Sequence, residues 1–389
     1  MNSLDLCIVL VAAAFAVSGV VQGFLANLAA TLGLLAGGLL AVLVVPLVIS
    51  PDEPSLAASL TALGLVVAAA AGGQIIGTVV GTDLRRTVRT PGGRWADAAG
   101  GGVLSVVSVL VVSWALGYAV SGTTVPYLST AARDSTILGA VDDVMPSQTA
   151  GVLQAFSDVI DANLFPQYLD PFDSEDIVRV GPPDPATLLL PGVEQASASV
   201  VKILGEASCD RGIEGTGFVY ADDRVMTNAH VVAGVSRPSV VTTEGSFDAE
   251  VVVFDPTLDI AVLAVDLDLP ALEFDGAGQA GQDAAVLGYP GNGPFDAQAA
   301  RIREQIRLKS PDIYNDGQHV RESFSIRSLV RSGNSGGPLV SAEGRVLGVI
   351  FAASVTDANT GYALTADQVA DAADQGRTAS RSVDTGGCA

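Results

Sequence analysis

The octapeptide SGNSGGPL, residues 332–339, sets Ser335 among glycines and makes its hydroxyl a candidate nucleophile. A serine hydroxyl is a weak nucleophile by itself, so the chemistry needs a base within hydrogen-bonding distance and a third group that orients this base. The chain contains only two histidines, His230 and His319. One of them is the expected base.

The two histidines lie in different surroundings. His230 is in TNAHVVAG, where a strand is expected to give way to a turn of small residues, and His319 is in NDGQHVRES, a polar stretch expected to form a loop. The pattern G-x-S-x-G around Ser335 also occurs in α/β-hydrolases, but their histidine follows the serine in the chain. No histidine follows Ser335. The α/β-hydrolase order is therefore excluded. The motif around His230, which His319 lacks, makes His230 the predicted base.

The best candidate for the orienting carboxylate is Asp259 in DPTLDIAVLAV, directly before an apolar strand. There, one side of the carboxylate can be buried while the other accepts the imidazole Nδ1 hydrogen. Asp255 is the rival, but it precedes Pro256 and is expected to cap a turn. The sequence thus predicts a triad in the order His230, Asp259, Ser335.

A subtilisin-type order would need the carboxylate before the histidine, at Asp222 or Asp223. The serine of subtilisins begins a helix, whereas GGPLVSAEGRVLGVIF after Ser335 has the pattern of strand, turn and strand. Short apolar runs separated by Gly, Asp and Asn continue through this part of the chain, which is typical of β-sandwiches and barrels. They predict two small antiparallel barrels and a short final helix near residues 366–373.

The N-terminal part has a different composition. Residues 1–125 hold five of the chain's 42 acidic and four of its 20 basic residues, so almost all of the net charge of −22 lies beyond them. Long uncharged runs there match the length that crosses a bilayer. A cleaved signal peptide is the alternative for the first run, but its leading MNSLD has no basic residue. The four predicted spans lie near residues 6–22, 26–48, 57–80 and 102–121.

The loops between the spans predict their orientation. TDLRRTVRTPGGRWAD carries four arginines and joins the third and fourth spans, and such positive loops stay in the cytoplasm. Everything after residue 122 is then expected on the far side of the membrane. Glycines at helical spacing indicate close helix packing in a bundle or a dimer, although glycine is also common in membrane helices generally. These glycines are Gly19 and Gly23, Gly33 and Gly37, and Gly73, Gly77 and Gly81.

The cysteines fit this topology. Cys7 lies at the edge of the first span, whereas Cys209 and Cys388 both lie in the exported part. An oxidising environment permits a disulfide between that pair, and two free thiols are the alternative. Residues 123–190 are expected between the membrane spans and the strands. Apolar residues at helical spacing predict a short amphipathic helix around residues 152–160, and the prolines after it predict an extended connector.

The motifs TNAHVV, LDIAVL and GNSGGPL resemble those of chymotrypsin-fold serine proteases, particularly the bacterial HtrA-like branch. With four spans ahead of them, the chain is similar to the MarP-like membrane-anchored proteases of actinobacteria, whose membrane part resembles the colicin V production (CvpA) family. The protease motifs are specific and cover about residues 196–370, whereas the membrane resemblance rests on span count, glycine content and the fusion.

The resemblance implies a multi-domain protein with an N-terminal four-helix transmembrane bundle (all-α) and an all-β, chymotrypsin-like double β-barrel. The boundaries expected from it are 1–122 for the transmembrane domain, 123–190 for the connector and 191–389 for the protease domain. No cofactor and no metal site is expected. The acidic exported part makes nucleic acid an unexpected partner, so protein substrates and the lipid bilayer are the expected ones.

The resemblance also implies the roles of the site residues. Ser335 attacks the scissile carbonyl, His230 accepts and returns the proton, and Asp259 holds the imidazole in the right tautomer. The loop of Gly333, Asn334 and Ser335 forms the oxyanion hole, with the backbone amides of Gly333 and Ser335 as donors.

Further expectations concern activation and specificity. Digestive relatives have an aspartate where Asn334 stands, so activation by an ion pair with a new N-terminus is not expected. A bridge from Cys209 to Cys388 is the hypothetical clamp in its place. Leu329, six residues before the serine, is expected at the base of the P1 pocket together with Ala353, which favours a small or hydrophobic P1 residue.

By resemblance, the protein belongs in the inner (cytoplasmic) membrane with its protease domain outside, where it would cleave cell-envelope proteins such as cell-wall enzymes in resistance to acid or oxidative stress. A membrane scaffold or sensor whose protease-like domain only binds is the alternative. Hydrolysis of esters or wall amides by the same site is a third option, and the oligomeric state stays open.

Overall fold

The structure is a computed structural model that describes residues 2–48, 56–88, 90–121, 126–145, 175–209, 211–314, 316–354 and 356–388. The chain divides into two compact units, a helical one before residue 146 and a β-rich one from residue 175 on. The amphipathic helix expected around residues 152–160 lies outside the described residues.

Helices make up the first unit. Four of those described are long and apolar enough to cross a membrane, and each predicted span lies within one of them. The fourth helix begins well before its predicted span, because Pro91 fits the first helical turn. The bounds are α1 Ser3–Gln22, α2 Phe24–Val48, α3 Leu56–Arg85, α4 Pro91–Ser121, α5 Pro126–Arg133 and α6 Thr136–Asp142.

The glycines of the spans bring helix backbones together within this chain. A Cβ added to Gly33 in α2 would lie 2.1 Å from the carbonyl oxygen of Gly73 in α3. A Cβ on Gly19 in α1 would lie 2.4 Å from the carbonyl oxygen of Gly101 in α4. Such close approach tolerates only glycine, so these positions pair α2 with α3 and α1 with α4.

The second unit contains two β-structures. The first is a seven-stranded sheet in the order β5-β4-β1-β2-β3-β7-β6, and the second is a closed barrel in the order β10-β13-β12-β11-β8-β9. The strands of the two β-structures together are β1 Val200–Glu206, β2 Gly212–Ala221, β3 Arg224–Thr227, β4 Ser239–Thr242, β5 Gly245–Asp248, β6 Glu250–Asp255, β7 Ile260–Ala264, β8 Asp283–Gly288, β9 Asp296–Ser310, β10 His319–Arg327, β11 Pro338–Val340, β12 Val346–Ala353 and β13 Thr360–Thr365.

One hydrophobic core joins the two β-structures. Phe218 and Met226 of the sheet and Leu287 and Phe351 of the barrel belong to a single buried cluster. Burying these side chains removes apolar surface from water, which is the main force that holds two such layers together. The ends of the strands that meet here are therefore held in a fixed relation, as a site assembled from both layers requires.

Short helices flank the strands. The final helix, α8 Ala366–Thr378, extends beyond its predicted end. It is capped at its N-terminus by Thr365, whose hydroxyl accepts a hydrogen bond from the Gln368 amide. Part of the connector expected to be extended is also helical. It forms a 3₁₀ turn at Pro185–Leu189 and helix α7 at Pro191–Ser197, because each begins with a proline that suits a first helical position.

Candidate active site

His230 follows β3 in the turn that the small residues of TNAHVVAG allow. Its side chain is buried at 8% exposure, and its Nδ1 lies 2.8 Å from Oδ2 and 3.0 Å from Oδ1 of Asp259. The backbone amide of His230 also donates to Asp259 Oδ1 at 3.0 Å. A carboxylate only accepts, so Nδ1 carries the hydrogen and Nε2 is left as the basic nitrogen of the neutral ring.

Asp259 is fully buried and has a φ of +66°, which an L-residue rarely adopts. Its conformation is set by Asp255, whose carbonyl accepts from the Asp259 amide at 2.9 Å. The Asp255 carboxylate accepts from the amides of Thr257 and Leu258 at 2.9 Å each. The rival carboxylate therefore caps the turn, and Asp259 is the one that reaches the imidazole.

The loop before Ser335 forms a type II turn. The Asn334 amide donates to the Arg331 carbonyl at 2.9 Å, and Gly333 at the third position has a φ of +89°, as this turn requires. The Ser332 carbonyl accepts from the Gly291 amide at 2.8 Å. In a planar trans peptide the C=O and N–H point in opposite directions, so this bond turns the Gly333 N–H away from Gly291.

That geometry selects the donors of the oxyanion hole. Within the described residues, the amides of Gly333 and Ser335 donate to no protein acceptor, whereas the Asn334 amide is used in the turn. The Asn334 side chain accepts from the Arg331 amide at 2.9 Å as well. Asn334 was expected in the oxyanion hole, but its amide closes the turn, so the amides of Gly333 and Ser335 are the ones left to bind an oxyanion.

Thr216 in β2 ties this loop to the sheet. Its amide donates to the Ser335 carbonyl at 2.9 Å, and its hydroxyl donates to the Gly333 carbonyl at 2.6 Å. The Thr216 carbonyl accepts from the hydroxyl of Thr227 at 2.7 Å, and Thr227 ends the strand that leads to His230. One buried residue thus links the serine loop to the histidine strand.

Sequence reasoning missed Thr216 and Gly291. The signal for the first was a polar residue at the start of the apolar run TGFVYA in β2. Gly291 had a weaker signal, because GYPGNG indicates a turn but not which carbonyl that turn will bind. Gly291 acts through its backbone amide, and Thr216 acts through its amide, carbonyl and hydroxyl on backbone groups of other segments, which no motif of side chains describes.

The other histidine lies elsewhere. His319 begins β10 and pairs with Ser310 of β9, whereas the Ser335 loop follows the opposite end of β10. The polar stretch around His319 was expected to be a loop, but pairing with the long β9 makes it strand. Its position separates it from the Ser335 loop by the length of the strand.

Leu329 and Ala353 lie on neighbouring segments. Leu329 is 40% exposed in the turn after β10, and Ala353 is the partly buried last residue of β12. The Ser328 amide donates to the Asn359 carbonyl at 3.0 Å, which joins the turn after β10 to the loop after β12. The two segments therefore lie side by side a few residues from the serine loop.

Cys209 and Cys388 form a disulfide with a Cα–Cα distance of 6.5 Å, and Cys7 is free and exposed. The bridge lies against the turn that carries His230. The Gly234 amide donates to the Thr385 carbonyl at 3.1 Å, and a Cβ on Gly234 would lie 3.2 Å from the Cys388 sulfur. Among the described residues no group of three or more His, Cys, Asp or Glu side chains is arranged to hold a metal ion.

Comparison with known proteins agrees with this geometry. Residues 215–349 match the trypsin-like peptidase domain, and residues 4–146 match the colicin V production protein. The chain is 39% identical over 372 residues to the Mycobacterium tuberculosis (strain H37Rv) serine protease Rv3671c, covering 94% of each chain. It is 34% identical over 169 residues to a probable periplasmic DegP-like serine endoprotease of Halomonas elongata, covering 41% of this chain and 34% of that one.

A solved structure is also similar. The active form of the M. tuberculosis Rv3671c protease aligns with a TM-score of 0.54 at 47% identity, covering 57% of this chain and 98% of that one. Sequence identity at that level shows more than a shared fold, and the alignment covers nearly the whole of the solved protease chain.

Proposed function

Because the chain belongs to the family of serine protease Rv3671c, in which a colicin V production domain precedes a trypsin-like peptidase domain, we propose that it is a membrane-anchored endopeptidase that uses His230, Asp259 and Ser335. The observation that carries the proposal is the buried bond from His230 Nδ1 to Asp259. That bond fixes the tautomer in which Nε2 can take a proton from a serine.

The proposed reaction follows from this arrangement. Ser335 Oγ attacks the carbonyl carbon of the scissile peptide while His230 Nε2 takes the hydroxyl proton, and Asp259 stabilises the imidazolium. The carbonyl oxygen becomes an oxyanion that accepts hydrogen bonds from the amides of Gly333 and Ser335. The tetrahedral intermediate expels the amine, which takes the proton from His230. Water, deprotonated by the same imidazole, then attacks the acyl carbon, and the ester bond breaks as Ser335 Oγ takes the proton back from His230 and the acid product leaves.

The proposed setting is the outer side of the cytoplasmic membrane. Four apolar helices support membrane anchoring, and the arginine-rich loop between α3 and α4 supports a cytoplasmic position for that loop. The disulfide supports an oxidising environment for the protease domain. Within this setting we propose cleavage of envelope proteins, cell-wall enzymes among them, in resistance to acid or oxidative stress.

The proposed specificity rests on two features. The apolar Leu329 and Ala353 favour a small or hydrophobic P1 residue, and the strongly acidic exported part favours basic proteins over acidic ones. The same charge disfavours nucleic acid as a partner.

A substrate panel tests this proposal. The full chain in detergent micelles is incubated with a peptide library, with small esters and with wall amides, beside Ser335→Ala as the matched control. We expect cleavage of peptides with small or hydrophobic P1 residues by the wild type and none by the variant. Strong preference for arginine at P1 would contradict an apolar P1 pocket at Leu329 and Ala353. Activity on esters or wall amides alone would contradict the proposed endopeptidase activity. Binding of peptides without cleavage would favour the scaffold or sensor.

A further inference from the structure

The end of the connector lies against the barrel that carries the serine. Residues 175–181, named here the connector strap, have no regular secondary structure and precede the 3₁₀ turn at Pro185–Leu189. A segment outside helices and sheets leaves its backbone carbonyls in need of donors. In the connector strap, these donors come from arginines of the barrel.

Two guanidinium groups bind the connector strap. Arg303 of β9 donates from Nη1 to the Val178 carbonyl at 2.6 Å, and Arg327 at the end of β10 donates from Nη1 to the Val180 carbonyl at 2.6 Å. The Arg303 side chain is only 4% exposed. A buried guanidinium offers several donors in a fixed plane, so it can hold more than one backbone segment at once.

Arg303 does hold a second segment, the described residues 354 and 356–360 of the loop after β12, named here the pocket loop. Its Nη2 donates to the Thr360 hydroxyl at 2.9 Å and approaches the Asn359 carbonyl at 3.4 Å. The Asp357 carboxylate lies 3.4 Å from the same nitrogen. One buried side chain therefore connects the connector strap to the pocket loop.

Glu175 makes the same connection from the connector strap itself. Its Oε2 accepts from the Thr356 hydroxyl at 2.6 Å and also from the Ser354 hydroxyl. Ser354 directly follows Ala353, so the carboxylate acts where β12 ends and the pocket loop begins. Hydrogen bonds to a carboxylate are stronger than those between neutral groups, so this contact adds a second charge-assisted connection to the one made by Arg303.

We propose that Glu175 is a positioning residue for substrate binding, and that the connector strap is a working part of the P1 pocket. The inference rests on the proposed function, because the pocket loop bears on substrate only if Leu329 and Ala353 line the P1 pocket. The connector strap continues the segment that comes from the membrane part. Displacing or cutting the connector therefore weakens peptide binding and leaves the triad and the oxyanion hole in place.

Kinetics of the full chain in detergent micelles test the proposal. The probes are an internally quenched peptide with leucine at P1 and a fluorophosphonate, which reacts with the serine without filling peptide subsites. For Glu175→Ala we expect KM to rise about tenfold, as loss of charge-assisted hydrogen bonds predicts, with kcat and the fluorophosphonate rate within about twofold. Glu175→Gln keeps one acceptor oxygen but loses the charge, so its KM should lie between those of the wild type and Glu175→Ala. Asp176→Asn, at the exposed neighbouring carboxylate, should match the wild type.

Three outcomes would overturn the proposal. One is an unchanged KM in a folded Glu175→Ala protein, and another is an equal loss of peptide cleavage and fluorophosphonate labelling, which indicates general damage. If Glu175→Ala does not fold, Thr356→Val removes one of the same bonds from the loop side, and an unchanged KM there is the third. A wild type that neither cleaves nor reacts would instead refute the proposed function itself.

Discussion

The two halves of the site are built by different means. The histidine half, on the seven-stranded sheet, is held by side chains: the Asp259 carboxylate binds both the ring and the backbone amide of His230. The serine half, on the closed barrel, is held by backbone: a type II turn with Gly333 at a φ of +89° and two carbonyls bound by Thr216 and Gly291. The position of His230 depends on the type of side chain at Asp259, whereas the position of the serine loop depends on the directions in which its backbone groups point.

Because of this difference, substitutions in the two halves are expected to affect catalysis in different ways. Removing a side chain from the histidine half removes a reacting group, whereas a change near the serine half alters the direction of an amide whose own residue is untouched. We therefore expect the loss of a reacting side chain, Ser335 included, to cost more than a change at the groups that hold the serine loop, whose loss should fall on kcat while the protein stays folded.

The largest effect is expected at the reacting groups. Ser335→Ala and His230→Ala should each lower kcat by about 10⁶-fold, and the double variant should lose no more, because the two act as one unit. Peptide cleavage by the full chain measures this. If the losses of the two single variants multiplied in the double variant, the assigned proton transfer would be wrong.

Asp259→Asn should have the next largest effect, a fall in kcat of about 10⁴-fold, because an amide in place of the carboxylate favours the wrong imidazole tautomer. Asp255→Asn is the matched comparison, since it keeps an oxygen for the Thr257 and Leu258 amides and should cost far less. Equal losses at the two positions would mean that Asp255 shares the catalytic role.

Thr216→Val tests the serine half. It removes the hydroxyl that binds the Gly333 carbonyl and accepts from the Tyr289 amide, so kcat should fall about ten- to hundredfold. Thr227→Val removes a neighbouring buried hydroxyl bond that does not touch the Gly333 peptide, and it should lower kcat less. Steady-state kinetics and thermal unfolding of both variants distinguish a loss of catalysis from a loss of stability. An unchanged kcat in Thr216→Val would contradict the role of these backbone contacts in holding the serine loop.

The disulfide should matter less for chemistry than for stability. Cys388→Ser opens the bridge beside the turn that carries His230, and the chain-entropy model gives about 5 kcal/mol for so long a loop, with measured values often lower. We expect a lower melting temperature and a severalfold loss of activity. If reduction of the disulfide left activity and melting temperature unchanged, the bridge would not act as a clamp.

The smallest effect is expected at a barrel carboxylate outside the site. The hydrogen bond from Arg301 lowers the pKa of Asp283, so Asp283 stabilises the fold above its unfolded-state pKa of about 3.9, and this is lost as the pH falls through the lower folded-state value. Asp283→Asn should therefore lower the melting temperature slightly at pH 7 and not at low pH, with kcat unchanged. An equal effect at both pH values would contradict the assigned interaction.

The sequence predicted the parts of the site that depend on residue type. Only two histidines exist, and a carboxylate before an apolar strand has few positions to occupy, so motif and order led to His230, Asp259 and Ser335. It also predicted four apolar helices, because their length and lack of charge are local properties.

The remaining features depend on contacts between residues far apart in the chain. Gly291 binds the Ser332 carbonyl, and Arg303 binds the connector strap, but neither partner is marked by spacing or composition. Asn334 was counted among the residues of the oxyanion hole for the same reason, since the use of its amide depends on how the turn closes. His319 was expected in a loop because local polarity outweighed the long-range pairing with β9.

The most direct test of the account is fluorophosphonate labelling of the full chain followed by peptide mapping. We expect one adduct, on Ser335, absent in Ser335→Ala and formed far more slowly in His230→Ala. A wild type that stays unlabelled while folded, or an adduct on another residue, would contradict the assignment of Ser335 as the nucleophile.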